Sequence, residues 1–95
     1  MAEGYEPQPL DQNLVVKTYG VAQADANAIF KSGIYRNVNS SITNTPNNNG
    51  NGILIVFQAD GYCAMQLYIY SGGELYSRIN WSAGGISWTT WTKAN

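Results

Sequence analysis

The 95-residue sequence contains no histidine and a single cysteine, Cys63. The first absence removes the commonest general base at neutral pH and the commonest transition-metal ligand. The second excludes an internal disulfide, which leaves the fold to packing or to association between chains. Set between apolar neighbours in a strand, Cys63 reads as a small core residue. Charge is scarce as well. Charged residues make up 12% of the chain, about half the roughly 25% of ordinary soluble domains, so the surface must be built from Asn, Ser, Thr, Gln and Tyr. Lys17, Lys31, Arg36, Arg78 and Lys93 are scattered and the formal net charge is -1, which offers no cationic footprint for nucleic acid. No apolar run reaches the ~18 residues of a membrane span, and no charged start leads into an apolar signal segment. Membrane insertion and Sec export are therefore not expected, and release from the cell needs another route such as lysis. No metal and no cofactor are expected.

What is present is enough for one domain with one core. Residues 1–16 hold Pro7, Pro9 and three of the six acids without sustained periodicity, which predicts an extended lead-in; residues 17–95 form the domain. Asp25 can cap a short helix over residues 24–32, with Ala22, Ala26, Ile29 and Phe30 on one face and Gly33 as its stop. A first strand follows over residues 34–38, then a polar loop over residues 39–52 with six Asn. The tripeptides Asn39-Ser40-Ser41 and Asn80-Trp81-Ser82 match the glycosylation sequon, but with no secretory signal they carry no expectation of modification.

Residues 53–57 are continuously apolar, which fits a central strand covered on both faces. Asp60-Gly61 signals a tight turn into residues 62–70, where Cys63, Met65, Leu67 and Ile69 alternate with Tyr62, Ala64, Gln66, Tyr68 and Tyr70. Alternation resumes in residues 74–81 after Ser71-Gly72-Gly73. A three-residue loop with Gly73 in the left-handed region gives paired residue numbers that sum to about 144. Gln66 then opposes Arg78, Tyr68 opposes Tyr76 and Tyr70 opposes Glu74, close enough to touch. Gly84-Gly85 turns the chain into a last strand over residues 86–92. The expected fold is mainly β within an α+β plan: one small antiparallel sheet or compact sandwich of about five strands, with a short N-terminal helix.

Gly33-x-Tyr35, Asn44-x-Pro46, Leu54-x-Val56, Gln66, Arg78 and Trp88-x-x-Trp91 occur in an order and spacing that resembles the knob domain of tail fibres from bacteriophages and R-type pyocins. The resemblance covers residues 24–93. It implies a non-enzymatic, homotrimeric fibre module of a virion or phage-like particle, made in the bacterial cytoplasm and extracellular after release. It also implies work near the part of the particle that meets the host envelope, in fibre assembly or in binding a surface glycan. No long shaft precedes the domain here, so the chain is either a fibre fragment or a small separate gene product.

A glycosidase is the natural catalytic rival for such a protein and needs two carboxylates about 5–10 Å apart. Asp60 and Glu74 flank opposite ends of one strand, roughly 25–30 Å apart at the usual rise, which argues against an enzyme. Gln66 and Arg78 read as a polar pair satisfied within the sheet, with ligand binding as the other use. Tyr68, Tyr70, Tyr76, Trp88 and Trp91 can serve as sugar platforms or as core and subunit contacts. Asn47 and Asn48 can bind sugar hydroxyls or simply solvate a loop. A neutral or weakly charged glycan is the ligand such a surface fits, and a free-standing carbohydrate-binding module is the alternative to the fibre reading.

Overall fold

A computed structural model describes residues 18–21, 24–82 and 86–95. The expected lead-in over residues 1–16 lies outside them. The described chain is mainly β: β1 (Thr18–Val21), β2 (Ala24–Asp25), β3 (Gly33–Asn37), β4 (Ile42–Thr43), β5 (Gly52–Gln58), β6 (Cys63–Tyr70), β7 (Leu75–Trp81) and β8 (Thr92–Lys93). One sheet runs in the order β1-β3-β5-β6-β7-β8, and β2 with β4 forms a separate two-stranded ribbon. Strands β3, β5, β6, β7 and β8 are antiparallel neighbours in that order, whereas β1 joins the edge beside β3 in parallel. Among the described residues no helix is long and apolar enough to cross a membrane.

The hairpin of β6 and β7 has the register that its loop chemistry demands. Gln66 faces Arg78, Met65 faces Ile79 and Tyr68 faces Tyr76. Gly73 closes the turn at φ 99°, a backbone conformation that side chains with a Cβ rarely adopt. The Tyr70 and Glu74 backbones complete it, Tyr70 N donating to Glu74 O at 2.9 Å.

Two expected elements are corrected. No helix forms over residues 24–32; Ala24–Asp25 is strand and only Ala26–Ala28 makes one 3-10 turn, with the Asp25 carboxylate capping Asn27 N at 2.8 Å. The anticipated cap therefore exists, but the helix behind it does not. A helix this short is marginal by itself, and here a tertiary contact competes for its carbonyls. The Gln66 amide donates to Ala26 O at 2.8 Å and to Ile29 O at 2.9 Å. The last strand, expected over residues 86–92, is corrected too: residues 86–91 make only an isolated bridge from Trp88 to Asn80 before β8 begins at Thr92. Side chains three apart in a strand point to opposite faces, yet Trp88 and Trp91 both lie on Arg78. The backbone has to leave strand geometry to bring them there.

Because period-two alternation gives the sheet two unlike faces, the side on which the connections cross decides which one becomes core. Ala26 and Ile29 from the turn and Ile42 from β4 pack with Tyr35, Leu54, Val56 and Tyr68 as the buried cluster. Burying each of the large aliphatic side chains stabilises by about 1.5–3 kcal/mol. The opposite face, carrying Ile53, Phe57, Met65, Ile69, Ile79 and Trp81, stays exposed. Strand β5 is central, as its apolar run indicates, but it is covered on one face and not on two. Cys63 is half-buried on this open side and not in the core.

Candidate functional site

The buried face is built around a cation. Arg78 is 8% exposed, and its guanidinium lies 4.6 Å from the Trp88 ring centroid and 4.3 Å from that of Trp91. Its Nε donates to Gln66 Oε1 at 2.9 Å and its Nη1 to Asn27 Oδ1 at 2.7 Å. Gln66 is wholly buried and spends both ends: the carbonyl accepts from Arg78, and the amide holds the two turn carbonyls. Each indole is pinned in turn, Trp88 Nε1 donating to Asn27 O at 2.9 Å and Trp91 Nε1 to Asn44 O at 3.0 Å. Phe30 meets Trp88 edge-on, and Tyr68 meets Trp91 in the same way.

Two desolvated cation–π contacts of about 2 kcal/mol each help to offset burial of a charge with no carboxylate bonded to it among the described residues. The offset is incomplete. Burial pushes Arg78 down to about 10 while the charge of Asp25 pulls the other way, and Nη2 is buried without a hydrogen-bond partner among the described residues.

The Asn-rich segment is an ordered loop folded over Asn37. The Asn37 amide donates to Ile42 O, Asn49 O and Tyr68 Oη, and its carbonyl accepts from Ile42 N at 2.7 Å and from Ser41 Oγ. Asn39, Ser40, Asn44, Asn47 and Asn48 all sit at φ between 52° and 62°, a region in which Asn is several-fold enriched. At Gly52 a Cβ would meet Ile69 O at 2.5 Å and Tyr68 Cζ at 2.7 Å, so the loop re-enters the sheet through a position that only glycine fills. A surface chain ties the loop to the sheet: Asn47 Nδ2 donates to Tyr76 Oη at 3.0 Å, Tyr76 donates to Glu74 Oε1 at 2.7 Å, and Lys93 pairs with Glu74 at 3.3 Å. The Tyr76 bond and then the Lys93 partner hold Glu74 below the usual carboxylate range. The same bond to Glu74, with burial behind it, pushes the Tyr76 phenol up. Bonds from Asn44 and the Asn27 backbone likewise lower Asp25.

These contacts sort the expected site residues. Tyr68 is wholly buried, its hydroxyl on Asn49 O at 2.9 Å, and burial raises its pKa; Tyr76 is 7% exposed. Trp88 is half-buried between Phe30 and Arg78. Trp91 and Tyr70 are half-buried at the rim of the core, and Asn47 and Asn48 are exposed. Five of the residues that carry the family resemblance converge on one cluster: Gln66, Trp88 and Trp91 each meet Arg78, and Asn44 holds Trp91. Asn27 and Asn37, which sequence reasoning did not single out, are the polar hubs of the two networks. Their only signal was an amide beside each end of an apolar strand or turn. Of the two sequons, Asn80 is wholly buried, with Nδ2 on Tyr62 O at 2.7 Å, a position closed to a glycan.

No family model and no curated protein matches the chain. Among solved structures, the C-terminal part (residues 323–701) of the P. aeruginosa R1 pyocin fibre superposes with a TM-score of 0.65 over 86% of this chain, at 24% identity. The chain spans 22% of the length of that fibre fragment. At this identity the likeness speaks for the fold alone: the chain has a fold similar to that of a segment of the pyocin fibre.

Proposed function

We propose that the chain is a non-catalytic, fibre-type module of a phage tail or phage-like particle, working as a homotrimer in fibre assembly and in contact with the host surface. The observation that carries this reading is a sheet with the fold of a pyocin fibre segment that turns a broad apolar face outward. Host contact falls to the side chains left accessible at the loop end: Trp91 and Tyr70 as partial platforms, with Asn47 and Asn48 as amide donors. The ligand is a neutral or weakly charged glycan, because a net charge of -1 builds no groove for a strongly anionic polymer. Single sites are weak and nearly independent of salt, and several copies on one particle raise avidity by about 10²–10⁴.

The experiment is mass spectrometry of tail particles purified from a lysate of the source bacterium. The chain is expected to co-purify with them in fixed ratio to other tail proteins; its absence from intact particles would end the fibre reading.

A further inference from the structure

The open side of the sheet is as apolar as a core. Ile53, Phe57, Met65, Ile69, Ile79 and Trp81 are 37–78% exposed and share one face by register: Ile53 pairs with Ile69, Phe57 with Met65, and Met65 with Ile79. Half-buried Ile55 and Leu67 fill the space between them. On four strands of about seven residues the face measures roughly 19 by 23 Å, about 440 Å² in projection. That lies within the roughly 300–600 Å² of the largest apolar patch on a typical monomer, a patch that is often functional.

We propose that this face is the surface through which copies of the chain pack on one another. The inference rests on the reading of the chain as an assembling fibre-type module and names the surface that assembly uses. Two features of the face select a second copy as its occupant. The first is charge. Arg36, exposed on β3, is the charged side chain this face carries on β3, β5, β6 and β7, so copies can meet over its apolar centre without burying a charge. The second is area. Residues 1–17 are the nearest rival occupant, but their large apolar side chains are Leu10, Leu14, Val15 and Val16, together with Tyr5 and Met1. A single extended segment is ~5 Å wide and covers about a quarter of the face. In a trimer the same faces of two other copies, turned toward a common threefold axis, cover it. Three such faces together project about 1,300 Å², past the roughly 1,200 Å² total at which stable interfaces begin. Apolar side chains that project from packed sheets interdigitate in this way.

The test uses the full chain. Sedimentation equilibrium is run on wild type, on Met65→Lys/Ile79→Lys at the centre of the face, on Ile53→Lys near its end, and on Thr43→Lys as an exposed control elsewhere. Circular dichroism confirms that each variant is folded. Wild type and Thr43→Lys are expected to associate alike, and the central double variant to dissociate at least a hundredfold more readily. Oxidation of Met65 by peroxide, followed by peptide mapping, is expected to slow as protein concentration rises. Protection of Met65 that is equally strong at every concentration would assign the face to the chain's own residues 1–17 and overturn the proposal. So would face variants that associate like wild type, or a wild type that stays monomeric at high micromolar concentration. A chain found in tail particles whose face variants still associate keeps the fibre reading and loses this surface, so the two failures are told apart.

Discussion

The two faces of the sheet reverse the usual relation between polarity and burial. The covered face holds Gln66, Arg78, Asn80 and Asn37 among its tyrosines and aliphatics, whereas the open face is nearly all Ile, Leu, Met and Phe. Side-chain polarity alone would assign the core to the wrong side. What decides is the path of the connections. Residues 24–32 and the loop over residues 38–51 cross the same side and bring backbone carbonyls with them, and those carbonyls need donors. Gln66, Asn37 and Arg78 are polar because they serve these crossings. The other face is not crossed by any of the described segments and stays exposed.

The largest test of this difference is a pair of truncations in neighbouring positions. Leu54→Ala, on the covered face, is expected to destabilise by about 2–5 kcal/mol, and Ile53→Ala, on the open face, by about 1 kcal/mol or less in dilute solution. Urea unfolding at low micromolar concentration measures both, and equal losses would mean that the dilute chain already buries both faces. Arg78→Ala comes next, with an expected loss of about 1–3 kcal/mol as Gln66 Oε1 is left unpaired in the core. An unchanged thermal midpoint would show that the cation is dispensable to packing and free for a ligand.

A smaller effect is expected from Tyr68→Phe, which removes the hydroxyl between Asn37 and Asn49 O and should lower stability by about 0.5–1.5 kcal/mol. Hydrogen exchange should locate that loss in the loop over residues 38–51, and uniform loss across the sheet would contradict the role given to Asn37. The smallest effect is in pH. Asp25 and Glu74 are held below their ordinary values, so their contribution is present above the carboxylate range and is lost as pH falls through and below it. Replacing both with the amides should flatten the acid limb of a plot of thermal midpoint against pH. An unaltered limb would show that these surface bonds do not hold the loop to the sheet.

Period-two alternation, Asp60-Gly61 and Ser71-Gly72-Gly73 were enough to establish from sequence the β6–β7 hairpin and its register, because turn geometry and strand parity are local. The opposition of Gln66 and Arg78 followed from that register. The same reasoning failed for the helix over residues 24–32, whose apolar spacing is real but whose carbonyls are claimed by Gln66, 40 residues away in the chain for Ala26. It failed for the strand over residues 86–92 because the pull of Arg78 on both Trp88 and Trp91 is invisible in propensity. The tyrosines and tryptophans were legible as either platforms or packing, and only their neighbours separate Tyr68 and Tyr76, which are buried, from Trp91, which keeps a half-exposed position.

By itself, then, the sequence determined the strands of the central hairpin, their pairing, the polar loop and the absence of an internal disulfide, all of which depend on residue type and near-neighbour spacing. Which face of the sheet became the core, and with it the burial of Arg78 between two indoles and the exposure of Ile53 and Met65, was decided only in the tertiary structure. Alternation defines two faces but ranks neither, and the choice between them is made by segments distant in sequence that must find partners for their own backbone groups.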